Sequence, residues 1–144
     1  MPRPERIDPE SEDSGAPPGL APGEDLVRTL RTGAVAAHWA VHPDTALALL
    51  RAAGVRPARA RAPLRWRWED VWRLEGDPLV HAADRALLRQ PLLTAAMCAA
   101  RDPLERTAHT WRRLIRARRL PVVRLSPTLA RVRPHDLVAH AEVI

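Results

Sequence analysis

From Asp25 onward, apolar residues recur at helical spacing in short runs, and three stretches switch to strict alternation. In "RTGAVAAHWAVHPDTALALLRAAGVRP" (31–57) the spacing predicts a helix capped by Thr32 and running to about Trp39. A second helix follows, with Pro43 and Asp44 in its first turn and Gly54 at its stop. In "LTAAMCAARDPLERTAHTWRRLIRARRLP" (93–121) Thr94 caps a first helix. The next helix begins either at "DPLE" (102–105), with a capping Asp and a first-turn Pro, or at Thr107. "VVRL" and "LARVR" alternate around "SPT" (126–128), a hairpin that sets Ala130 and Val132 on one face and Arg131 and Arg133 on the other. "RWRW" (65–68) alternates likewise, with Trp66 and Trp68 together.

These runs form an internal repeat. Both copies open on Thr and small apolar residues, reach a second Thr (Thr45, Thr110), enter a second helix and end in Pro. "RWRWEDVWRL" (65–74) then parallels "RVRPHDLVAH" (131–140). The two Thr residues lie 13 apart in one copy and 16 in the other, which predicts about three extra turn residues in the second. Each copy reads as helix, turn, helix, two short strands and closing helix. The expected fold is mainly α with small β-hairpin wings: two tandem winged helix-turn-helix units, 25–76 and 92–144. A helix over 77–91, with Leu79, Val80, Ala83, Leu87 and Leu88 as its stripe, is expected to link and pack them. Residues 1–24, rich in Pro, Gly, Ser and acids, predict a disordered acidic tail.

Charge sharpens the picture. Residues 1–25 hold seven acids and two arginines, whereas the other 119 hold 21 arginines and ten acids. Thr45–Trp68 has six arginines and no acid, and Arg106–His135 has nine and none. Such single-sign fields attract polyanions. All 23 basic residues are Arg, with no Lys, so the choice of Arg reflects a compositional bias and only its placement informs. One cysteine excludes an internal disulfide, and no apolar run reaches 18 residues, so a soluble cytoplasmic protein is expected.

Residues 91–142, "PLLTAAMCAA…TWRRLIRARRLPVVRLSPTLARVRPHDLVAHAE", resemble the MerR-like winged helix-turn-helix of the excisionase type. The family's pattern is a Leu-Thr opening, a Thr-x-Arg-Arg-(Leu/Trp)-Ile-Arg helix, a Leu-Pro exit, a short wing and Arg-(Glu/His)-Asp-Leu before the last helix. Residues 31–76 match more weakly, through the repeat. The resemblance implies sequence-directed binding of double-stranded DNA, with the second helix in the major groove and the wing on flanking backbone or minor groove. Counting from Thr110, Trp111, Leu114 and Ile115 close the core while Arg112, Arg113 and Arg116 face outward, where guanidinium groups can reach guanine edges. Arg106, His109 and Thr110 open that helix; Arg118, Arg119, Arg124, Arg131 and Arg133 fall where phosphates would pass. Unit one carries Leu47 and Ala48 opposite Arg112 and Arg113, keeping Arg51. It is therefore expected to clamp backbone through Arg56, Arg59, Arg61, Arg65 and Arg67, or to meet a protein partner through Leu47 and Ala48.

The expected role is a transcriptional regulator or excisionase-like architectural factor. The alternatives are a DNA-packaging adaptor like the phage small terminase, or a protein-interaction module with an incidental basic face. Trp39, Trp66, Trp68, Trp72 and Trp111 read as core, and Cys98 as buried and inert. His38 and His42 are expected on the surface or in caps, and Asp136 as a helix cap. No phosphate loop, metal-ligand set or nucleophile–base constellation occurs, so neither an enzyme nor a cofactor is expected.

Overall fold

The chain, in a computed structural model, is described over residues 27–144; the expected tail, 1–24, lies outside them. The described residues are mainly helical, with two small antiparallel strand pairs. The first half runs β1 (Thr29–Arg31), α1 (Thr32–Trp39), α2 (Pro43–Ala52), β2 (Arg65–Arg67) and α3 (Trp68–Leu74). A 3₁₀ turn (Ala82–Asp84) and a single turn, α4 (Arg85–Leu88), lead to the second half. There α5 (Ala95–Arg101), α6 (Ala108–Arg116), β3 (Val123–Ser126), β4 (Leu129–Arg131) and α7 (Pro134–His140) follow.

Side chains cap the starts of three helices. Thr94 Oγ1 accepts from the Met97 N–H and caps α5, as its spacing predicts. For α6, Thr107 is the cap: its hydroxyl accepts from the Thr110 N–H, so the helix starts there and not at "DPLE". Asp102 is drawn instead to Leu104, Arg106 and Trp111. His42 Nδ1 caps α2 through the Asp44 N–H, while Pro43 fills the first turn. Thr32 is not a cap. Its hydroxyl accepts from the Trp66 indole across the β1–β2 pair, leaving Arg31 at the cap position of α1. Asp136 likewise sits inside the first turn of α7, and Arg133 occupies the cap position.

Two expected elements differ. The helix over 77–91 shrinks to the 3₁₀ turn and α4, with Leu79 88 % exposed, because its stripe meets no opposing apolar face. The wing of the first half has no hairpin of its own: β2 pairs with β1, Leu30 facing Trp66, and Arg59 makes only an isolated bridge to Arg65. In the second half the corresponding pairing, Leu93 with Val132, is a single bridge, and the full hairpin is β3–β4.

Two apolar clusters hold the molecule. One gathers Val35, Trp39, Leu50, Trp66 and Val71 from the first half with Leu92, Val123 and Leu125 from the second. The other gathers Leu93, Cys98, Trp111, Ile115, Leu120, Val132 and Leu137. Trp72 is buried as well, and Trp68 packs against the first cluster, stacked on Trp72. Burial pushes the Cys98 thiol up to about 11, the environment of an inert cysteine.

The junction is also polar. His38, expected at the surface or in a cap, is buried, 3 % exposed, and its Nε2 lies 2.9 Å from Glu75 Oε2. The same oxygen accepts from the Trp39 indole at 2.7 Å, and Glu75 Oε1 accepts from Arg133 Nη2 at 2.7 Å. Removing one partner from such a buried charge pair costs about 3–5 kcal/mol.

Candidate nucleic-acid interface

The helix α6 presents the most one-sided surface. Trp111 and Ile115, four apart, are buried, and Leu114 is half-buried against the same cluster. His109, Arg112, Arg113 and Arg116 are exposed on the outer side, with Thr110 at the edge, half-buried and its hydroxyl 3.1 Å from that of Thr107. No carboxylate among the described residues pairs with Arg112, Arg113 or Arg116. Beyond the helix, Arg118 adopts a left-handed backbone with φ 54°. This lets the N–H groups of Arg118 and Arg119 bond to the Ile115 and Leu114 carbonyls, turning the chain away with both side chains outward.

A cleft of about 690 Å³ runs between α6, the start of α5 and the hairpin, with Arg112, Arg116, Arg124, Thr94 and Thr128 on its walls. A second, about 500 Å³, lies on the other side of Arg124, edged by Arg118, Arg119 and His140. Neither is lined by a carboxylate, so their potential has one sign. Arg124 belongs to both clefts. It is exposed on β3 between buried Val123 and Leu125, as strand alternation requires.

Four residues expected at the interface make bonds within the chain, although Arg131 still lines the first cleft. Arg106 bonds to Asp102 at 2.7 Å, to the Ile144 and Ala141 carbonyls, and lies over the Trp111 ring, because it closes the turn before α6. Arg133 is buried and pairs with Glu75 and, at 2.6 Å, with Asp77. Arg131 sends Nε to the Trp39 carbonyl and Nη2 to the Ala40 carbonyl, each 2.9 Å, at the open end of α1. Burial lowers its pKa. Arg65 donates to the Thr29 hydroxyl and carbonyl across the β1–β2 pair. For Arg65, Arg131 and Arg133, strand alternation marks a side chain as outward, while a packed neighbour supplies acceptors that alternation cannot register.

In the first half, Arg51 and Arg61 are exposed and Arg59 is half-buried. Arg67 is half-buried too and edges a groove of about 440 Å³ with Arg56, Arg73 and Asp70. That groove mixes signs. Leu47, expected to meet a partner, is half-buried and packs against the first cluster, leaving Ala48 exposed beside it. Alternation and charge runs overlooked Glu75, Asp77 and His38, whose pairing spans 37 to 58 residues and has no local signal.

Among the described residues no group of His, Cys, Asp or Glu could hold a metal, and no helix is long and apolar enough to cross a membrane. Comparison with family models, curated proteins and solved structures gives no match.

Proposed function

We propose that this chain binds double-stranded DNA with sequence preference, as a transcriptional regulator or an excisionase-like architectural factor built from two winged helix-turn-helix units. One observation carries the reading. The arginines of α6 point away from a backbone anchored by Trp111 and Ile115, they have no carboxylate partner among the described residues, and two of them, Arg112 and Arg116, border a cleft whose lining holds no acid. A helix with this outer face fits a major groove, and Arg112, Arg113 and Arg116 are the base-reading candidates. Arg118, Arg119 and Arg124 then take phosphates, setting affinity and salt dependence.

Selection from random duplexes, followed by titration at two salt concentrations, tests this. A recovered motif with a log–log salt slope of about −3, from the three phosphate-contacting arginines at about 0.9 each, is expected. The double substitution Arg112→Ala, Arg113→Ala should abolish preference for the motif, each good arginine–guanine pair being worth about 1–3 kcal/mol. Recovery of no motif, or an unchanged preference in the double variant, overturns the reading.

A further inference from the structure

The hairpin that carries Arg124 is built onto the first half of the chain. Val123 and Leu125, its inward residues, are 6 % and 5 % exposed and belong to the cluster of Trp39, Leu50 and Trp66. At the end of the same hairpin, Arg131 grips the two carbonyls, Trp39 and Ala40, that close α1. Two residues on, Arg133 reaches Glu75 and Asp77 beyond the end of α3. Glu75 is itself held by the His38 and Trp39 side chains of α1. The clasp therefore ties the end of the hairpin and the residues after it to the end of α1 and to the segment after α3.

We infer that Arg131 and Arg133 are positioning residues: they clamp the β3–β4 hairpin to the first half, so that Arg124 is presented at a set distance from Arg112 and Arg116. The first half then serves the interface as a platform, whatever its own arginines touch. This rests on the DNA-binding reading for its consequence, though not for the clasp itself. Guanidinium chemistry is essential to it. Arg131 spans two carbonyls with Nε and Nη2 in a fixed fork, which a lysine ammonium retains in charge and loses in geometry. A phosphate contact tolerates that exchange far better.

The test is a cycle on the full chain. Arg131→Lys is combined with Arg124→Ala, reading affinity for a selected duplex and amide hydrogen exchange of 123–131. The inference expects Arg131→Lys to weaken binding about tenfold in the parent chain and less than about twofold once Arg124 is alanine, since coupled residues are non-additive. Hairpin amides should exchange faster while α6 stays protected. Asp77→Asn, at a position whose side chain is 44 % exposed, supplies a milder second variant. It leaves Arg133 charged, so a direct phosphate role for Arg133 predicts equal or tighter binding, and the clasp predicts weaker. Equal losses in both Arg124 backgrounds, or hairpin exchange at the parent rate in both variants, overturn the inference. If the parent chain selects no duplex, the DNA-binding reading falls, and hairpin exchange alone decides the clasp.

Discussion

Arg118 stands in a backbone conformation that glycine takes at the matching exit of α2, where Gly54 has φ 73° against 54° for Arg118. A left-handed backbone costs a residue with a Cβ about 1–2 kcal/mol, part of which glycine offsets by its greater freedom when unfolded. Strain of this kind gathers where a side chain is needed for function. Arg118→Gly should therefore raise stability by about 0.5–1 kcal/mol in urea unfolding. It should also weaken duplex binding, with a salt slope shallower by about 0.9. Gly54 could be foreseen as a helix stop from its residue type; Arg118 could not, because arginine carries no signal for a left-handed turn.

The connection between α5 and α6 is organised by one carboxylate. Asp102 Oδ1 accepts from the Leu104 N–H at 2.8 Å, and Oδ2 accepts from Arg106 Nε at 2.7 Å and the Trp111 indole at 2.8 Å. The Arg106 guanidinium, foremost, and these N–H donors hold its carboxyl well below the usual carboxylate range. An aspartate depressed in this way contributes stability that is fully present above its unfolded value, near about 3.9, and lost as pH falls toward its folded value. Asp102→Asn should cost about 3–5 kcal/mol at neutral pH, by breaking a buried pair. The gap between the two proteins should narrow steadily below about pH 4, as urea unfolding across that range would show. A persistent gap in acid would mean that packing, not charge, sustains the turn. The sequence offered two starts for α6, since "DPLE" and "TAHT" both look like helix entries; the Trp111 indole and Arg106 recruit Asp102 and settle the choice at Thr107.

At the scale of the molecule, the cluster under the first half is completed by Leu92, Val123 and Leu125 from the second. Burying three such side chains contributes about 5–9 kcal/mol, comparable with the whole stability of a small domain. The full chain should consequently unfold in one transition by circular dichroism and by tryptophan fluorescence alike. A fragment of residues 27–76 should show no cooperative unfolding; a folded fragment would mean that the two halves are independent. The repeat suggested two units that a linking helix packs together. Its copies instead share a core, because the second hairpin turns its apolar side to the first copy and its Arg131 and Arg133 find acceptors there.

What the sequence by itself determined lies within a few residues of each signal. The cap at Thr94, the stop at Gly54, the hairpin turn at "SPT" and the opposed faces of α6 follow from side-chain chemistry and helical or strand spacing. Only the tertiary structure decided which arginines remain outward. A guanidinium on an alternating strand looks the same whether it meets water or a carbonyl 92 residues away, as Arg131 does at Trp39. Periodicity records the direction of a side chain, and the partner that awaits it is set by packing between distant segments.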